Sequence, residues 1–343
     1  MKVLVTGGCG FIGSHVCEHF RARGWDVVAY DNLTKHELAR TGYDAAAARD
    51  YNLALLRRLG VVVAVEDVRD FGALMRNAEG CAYIVHTAAQ PAVTISIEDP
   101  RLDVTTNVIG TFNVLEAART LDVPVASCAT IHVYGNEINR TLRTGRTRYE
   151  RTPAEIDESE PTVQGVLSPL HASKRSGDLY VQTFIDTYGV RAASFRLTGL
   201  YGPRQFGGED HGWVAHFCIR ALTDRPITIY GTGKQLRDVL YAGDLAQCFW
   251  DFFQNPVPGL YNIGGGMPNA LSLVECLDLV EEITGKRPPV AFEPGRHADL
   301  LYFVCDSRKA EQAFGWKAKV EPGEGVRQLV DWIRQEIAIF SAS

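Results

Sequence analysis

The run Thr6-Gly7-Gly8-Cys9-Gly10-Phe11-Ile12-Gly13 joins an apolar stretch, Val3-Leu4-Val5, to an amphipathic one. A turn with glycines at Gly7, Gly10 and Gly13 can hold a pyrophosphate. Glycine lets the backbone approach phosphate oxygens, and the helix opened by Phe11 and Ile12 offers free N–H groups and a partial positive charge. Asp31 closes the next apolar run, 18 residues beyond Gly13, where a carboxylate can accept the hydroxyls of an adenosine ribose. The same carboxylate would repel a 2′-phosphate. The expected cofactor is therefore NAD rather than NADP, with Asn32 next to the ribose.

Further groups fall where apolar runs end. Asp67-Val68 is placed to meet an adenine. His86-Thr87-Ala88-Ala89-Gln90-Pro91 follows one strand, and Ser127-Cys128-Ala129-Thr130-Ile131-His132-Val133-Tyr134-Gly135 follows another. His171-Ala172-Ser173-Lys174 opens a long helix. Open α/β sheets bind ligands at the C-terminal ends of their strands.

The elements that must position these groups alternate strand and helix over the first two-thirds of the chain. That pattern implies a parallel sheet covered on both faces. Strands are predicted at Lys2–Val5, Asp26–Ala29, Val61–Val65, Tyr83–Thr87, Pro124–Ser127 and Arg191–Arg196. Helices are predicted at Ile12–Arg23, Asp44–Leu59, Val104–Leu121 and Ser168–Tyr188. The fold class is α/β: a Rossmann-like doubly wound parallel sheet over residues 1–198 and a smaller α/β lobe over 199–343. Segments such as 235–262 are candidates to return to the first domain. Between Asn136 and Gln164 the alternation collapses into a polar stretch holding Arg140, Arg143, Arg146, Arg148 and Arg151. An excursion of this length reads as a lid over an anion or as a solvated loop.

The 343 residues carry 46% hydrophobic and 22% charged side chains and a net charge of −6. That balance fits a globular protein and excludes a general nucleic-acid binder, which needs a basic face. Eight cysteines without a C-x-x-C pair read as reduced thiols, with no disulfide frame and no metal site. No apolar run reaches the length of a membrane span, and Met1-Lys2 leads straight into a strand. A cytoplasmic location with no membrane partner is expected.

Taken in order, these motifs resemble the extended short-chain dehydrogenase/reductase family, specifically its nucleotide-sugar epimerases and dehydratases. The resemblance runs from Met1 to about Trp332. It includes Asn107-Val108-Ile109-Gly110-Thr111, Tyr201-Gly202-Pro203-Arg204-Gln205, Ile229 through Val239 and Tyr261 through Gly266. The segment Gly202 through Val214, with Gly233-Lys234-Gln235, looks most like the CDP-paratose (CDP-tyvelose) 2-epimerases. The resemblance implies NAD contacts at Ala88, Ala89, Gln90, Asn107 and Lys174, a homodimer formed by the 104–121 and 168–188 helices, and a nucleotide-sugar substrate. It also implies a Ser/Thr, Tyr and Lys acting together. The Tyr takes the sugar hydroxyl proton, the Lys lowers the Tyr pKa, and the Ser/Thr bonds the reacting oxygen.

Thr130 and Lys174 stand at the family positions, but the residue four before Lys174 is Leu170. Leucine cannot accept a proton. His132, two residues past Thr130, is a replacement candidate because the corresponding position faces the sugar in related enzymes. His171 is a second, although adjacent helix positions point about 100° apart. Cys128, Lys174 itself, and no side-chain base at all are the other possibilities. Dehydratases need an acid/base carboxylate pair just after the Thr. Ile131-His132 stands there, which ranks elimination below epimerisation. For the substrate, the resemblance implies that Arg237 and Arg296 grip a diphosphate through their planar forks. Arg204, Gln205, Tyr230 and Asp299 are further candidate contacts, with Gln90 and Thr130 on the sugar side. A net oxidoreductase and a non-catalytic binder of NAD and nucleotide sugar remain alternatives.

Overall fold

Five short runs of small and β-branched residues form β1 (Lys2–Thr6), β2 (Asp26–Asp31), β3 (Val62–Val65), β4 (Tyr83–His86) and β5 (Val125–Thr130). The computed structural model describes residues 1–36, 38, 41–296 and 298–341. β1, β4 and most of β5 are buried, as strands covered on both faces must be. They pair in parallel with the strands Ala192–Leu197 and Gly259–Ile263, giving the order β3-β2-β1-β4-β5-(192–197)-(259–263). The order reverses between β1 and β4, which opens a crevice at their C-terminal ends.

β1, β2 and β5 run past the C-terminal ends that the hydrophobic pattern indicates, while β3 and β4 are each one residue shorter than predicted. β5 continues through Cys128, Ala129 and Thr130 because the neighbouring strand pairs with all three. The predicted Val104–Leu121 helix is three pieces: Pro100–Val104, a π-helical turn at Thr105–Ile109, and Gly110–Leu121. Such π-turns gather at functional sites, and this one carries Asn107.

Helix α1 (Phe11–Ala22) packs on Ala242–Gln254, so the 242–254 helix and the 259–263 strand join the core of the first sheet. A second core forms around Leu236–Tyr241, Trp213–Leu222, Leu273–Thr284 and Pro322–Gln335. The helix Pro169–Tyr188 is fixed to the sheet by a buried ion pair. Asp178 takes Arg196 at 2.8 Å, and Arg196 also donates to the Tyr134 hydroxyl at 2.8 Å. Breaking such a pair would strand a buried charge, so the helix carrying Leu170 and Lys174 is rigidly placed.

The arginine-rich stretch is partly ordered. Arg143–Thr144 pairs with Tyr149–Glu150 as a small hairpin. Lys234 Nζ donates to Gly145 O at 2.8 Å, and the Arg148 fork holds Glu275 at 2.8 and 2.6 Å. Arg151 pairs with Glu160 at 2.8 Å. The hairpin thus docks on the second lobe and covers a cavity of about 300 Å³ lined by Arg143, Arg148, Arg151, Leu236 and Tyr302. Among the described residues no helix is long and apolar enough to cross a membrane.

Candidate active site

The glycine turn closes tightly against its neighbours. Gly7 has φ +69°, and a Cβ there would lie 2.6 Å from Ala88 N. A Cβ on Gly13 would lie 2.1 Å from Gly7 O. Gly10 caps α1 with no side-chain cap, and the first turn holds no acidic residue. Its N–H groups are therefore left for an anion. Asp31 accepts from Cys9 N–H at 2.9 Å and from Leu33 N–H at 2.7 Å, which fixes the carboxylate at the end of β2. Asn32 donates to Asp67 at 2.9 Å. Arg69 forks onto Asp67 and is the main reason its carboxyl sits low, at about 2. Val68 is buried against Gly110. The cradle, the uncapped helix and the fixed carboxylate fit a dinucleotide.

At the next strand end Gln90 and Asn107 are tied to each other. Gln90 N–H donates to Asn107 Oδ1 at 2.9 Å, and Asn107 Nδ2 donates to Gln90 O at 3.0 Å. Both side chains also reach Asp103, and the Gln90 amide oxygen accepts from Ala92 N–H at 2.5 Å. The Gln90 amide is thus spent inside the protein. Ala88 and Ala89 remain half-buried at the mouth. Sequence reasoning missed His86, which bridges Thr6 Oγ1 (2.7 Å) and Thr111 Oγ1 (3.1 Å) beneath this loop. The Thr6–His86 register of β1 and β4 makes that bridge.

Leu170 and Lys174 sit one turn apart on the same face of their helix. Lys174 Nζ lies 3.4 Å from Cys128 O, and burial pushes its ammonium pKa down. Burial pushes the Cys128 thiol up to about 12, which leaves no thiolate at neutral pH. Thr130 Oγ1 accepts from His132 N–H at 3.3 Å in the turn Ile131–Tyr134. His171 does not look away. Ser168 and His171 form a capping box that draws the ring back toward the helix start, and the ring meets His132 edge-to-face at 5.2 Å.

The second lobe supplies cations. Arg237 is half-buried, 3.9 Å from Asp299, and bonded to the Leu236 and Leu300 carbonyls. Burial lowers its pKa, and Arg237 in turn contributes to depressing that of His132, so the two lie close. Arg296 stacks 4.2 Å over the Tyr230 ring and lies 3.4 Å from Asp210. Tyr230 donates to Glu209 at 2.6 Å. Glu209 and Asp210 are neighbours that no sequence signal marked. Arg204 turns to Glu18 on α1 at 2.7 Å, and Gln205 donates to Leu200 O at 3.0 Å. Neither joins the Arg237 group. Among the described residues no group of three or more His, Cys, Asp or Glu side chains could hold a metal.

Residues 3–264 match the NAD dependent epimerase/dehydratase family. The chain belongs to that family. The CDP-paratose 2-epimerase of Salmonella typhi is 34% identical, over 97% of this chain and 99% of that one. The UDP-glucose 4-epimerase of Thermus thermophilus, solved in complex with NAD, is also 34% identical. It superposes with a TM-score of 0.79 over 97% of this chain and 99% of its own. The UDP-glucuronic acid 4-epimerase of Bacillus cereus, solved with UDP-glucuronic acid and NAD, is 26% identical with a TM-score of 0.82. It matches over 98% of this chain and 100% of its own. Against the catalytic set that the resemblance implies, this chain departs at Leu170.

Proposed function

We propose that this member of the family is an NAD-dependent epimerase of nucleotide-diphosphate sugars that oxidises a sugar carbinol transiently and reduces it from the other face. The observation that carries the reading is the position of Lys174 at the end of β5, its Nζ 3.4 Å from the carbonyl of Cys128, two residues before Thr130. NAD, when bound, supplies the hydride acceptor and donor. Gly7, Gly10, Gly13 and Asp31 would hold it, with Lys174 reaching toward its nicotinamide ribose. Thr130 bonds the reacting oxygen. Arg237 and Arg296 draw the diphosphate into the second lobe, where Tyr230 and Asp299 flank it. Asp31 near an adenosine ribose favours NAD over NADP.

The test is product analysis by NMR in D2O, with no added cofactor, on CDP-, GDP-, UDP-, ADP- and dTDP-sugars. The expected product is an epimer without deuterium at the inverted carbon. An epimer carrying deuterium would show proton abstraction instead, and loss of water would show a dehydratase. Tight nucleotide-sugar binding without any product would favour the second reading, a non-catalytic binder, which the apolar Leu170 supports.

We further propose a cytosolic homodimer. Ile109, Phe112, Leu179 and Tyr180 are all more than one-third exposed on the helices Gly110–Leu121 and Pro169–Tyr188 and the turn before them. An apolar face of this kind is what a four-helix contact would cover. The doubly charged variant Phe112→Glu/Leu179→Glu is expected to sediment at the monomer mass of 37.8 kDa, and the unaltered protein at twice that. Equal masses for both would exclude this face.

A further inference from the structure

We propose that His132 is the proton acceptor that stands in for the tyrosine replaced by Leu170, with His171 as a positioning donor beside it. The inference rests on the oxidation–reduction reading above. Leu170 is buried, and its backbone N–H donates to Ser96 Oγ at 3.2 Å. One residue on, His171 Nδ1 accepts the backbone N–H of Ser168 at 3.1 Å. Accepting that bond occupies the Nδ1 lone pair, so the neutral ring carries its proton on Nε2. His171 Nε2 is enclosed and has no hydrogen-bond partner among the described residues, and the same holds for His132 Nδ1. The two rings are in edge-to-face contact, interplanar angle 85°.

Enclosed polar atoms without partners are uncommon, because each unmet atom keeps the full cost of its desolvation. Two such atoms on touching rings, next to Thr130, are completed together only when the half-buried His132 ring turns to admit one group between them. A hydroxyl does so, because it accepts from His171 Nε2–H and donates to a nitrogen of His132. A carbonyl or a phosphate oxygen can only accept. As the carbinol is oxidised, its O–H bond breaks and an N–H bond forms on His132, giving imidazolium. The oxygen's electron pair would become the C=O bond, NAD held in the glycine cradle would supply the hydride acceptor, and reduction would return both hydride and proton. His171 keeps its proton throughout.

The surroundings of His132 make it a conditional base. Burial first, then His171 on the Pro169–Tyr188 helix and Arg237 on the Leu236–Tyr241 strand, hold its imidazolium pKa at about 3. The ring is therefore neutral at physiological pH. A substrate diphosphate on Arg237 cancels that cation, so nucleotide binding raises the basicity of His132 just when a proton must be taken.

The test uses the NAD-loaded protein with labelled histidine, followed by NMR at pH 7, with CDP, UDP, GDP, ADP and dTDP as probes. A binding nucleotide is expected to move the His132 ring nitrogen resonances, and Arg237→Gln is expected to abolish that movement. His132→Gln is expected to lower kcat by about 10²–10⁴ with KM within about threefold. Adding Leu170→Tyr to that variant should restore part of the loss. His171→Gln should lower kcat less and move the His132 ring nitrogen resonances at pH 7. If the unaltered protein makes epimer and His132→Gln makes it within about threefold as fast, His132 is not the base. His132 resonances that no binding nucleotide moves also overturn the assignment. Absence of epimer from the unaltered protein overturns the epimerase reading instead, and the nucleotide titration then decides on His132 alone.

Discussion

Gly13→Ala should strip the protein of its dinucleotide. The added methyl would lie 2.1 Å from Gly7 O, 2.7 Å from Gly7 C and 2.7 Å from Gly8 Cα, all of them backbone atoms. Gly7 cannot give way. Its N–H is bonded to Tyr30 O at 2.8 Å, its carbonyl accepts Gly10 N–H at 2.9 Å, and Ala88 fills the space on its other side. Relief must come from pushing α1 off β1, which spreads the N–H groups offered to the pyrophosphate. Cofactor affinity is expected to fall by about 100-fold or more, the equivalent of about 2.7 kcal/mol. Absorbance of bound cofactor in the purified protein and calorimetric titration with NAD read this directly. Gly323→Ala is the control: the nearest atom to its Cβ is the far end of Arg327, at 3.8 Å. Unchanged NAD affinity in Gly13→Ala would mean that the pyrophosphate is held elsewhere.

The same turn shows what a sequence can disclose. Gly7 to Gly13 and Asp31 are local features whose geometry follows from spacing along one strand–turn–helix unit, so the cradle is readable before any coordinates. The alternation of strand and helix gives the parallel sheet for the same reason. What escapes is decided over long separations. Arg204 looks like a substrate contact within its motif, yet Glu18, 186 residues away, takes its guanidinium. Gln90 is absorbed by Asn107 and Asp103 because a π-turn rotates Asn107 toward it, and no hydrophobic period signals a π-turn. The hairpin within the arginine-rich stretch exists because Glu275 and Lys234 of the second lobe receive it. His171 is the instructive intermediate case. Helical geometry alone points it away from Leu170, and the local Ser168 bond turns it back, a signal present in the Ser-x-x-His spacing.

Acidification should unfold this protein well above the pH at which most carboxylates titrate. His15, His86 and His216 are buried, and burial is the leading cause that brings each imidazolium pKa to about 3. Arg204 adds to the effect at His15, Lys174 at His86, and Arg220, His211 and Arg296 at His216. In the unfolded chain each returns to about 6.5. Between these values the unfolded chain binds more protons than the folded one, so stability is lost as pH falls below 6.5 and the loss is complete near 3. At pH 5 each of the three contributes a loss of about 2 kcal/mol, a large share of an ordinary total of about 5–15 kcal/mol. Asp103, Asp238 and Glu158 act the other way, since burial raises their pKa values and the folded state takes up their protons first. Their contribution is fully present below the ordinary carboxylate range and is lost as pH rises through their raised folded pKa values, so it offsets only part of the histidine loss. The melting temperature is therefore expected to be level above pH 7 and to drop steeply from pH 6.5 to 5. His216→Gln should flatten that slope by about 1.4 kcal/mol per pH unit in denaturant titrations at pH 5 and 6. His216 Nδ1 has no hydrogen-bond partner among the described residues, so the substitution breaks no bond at that atom. Equal melting temperatures at pH 7 and pH 5 would show that these imidazoles are reached by water and charged in the folded protein.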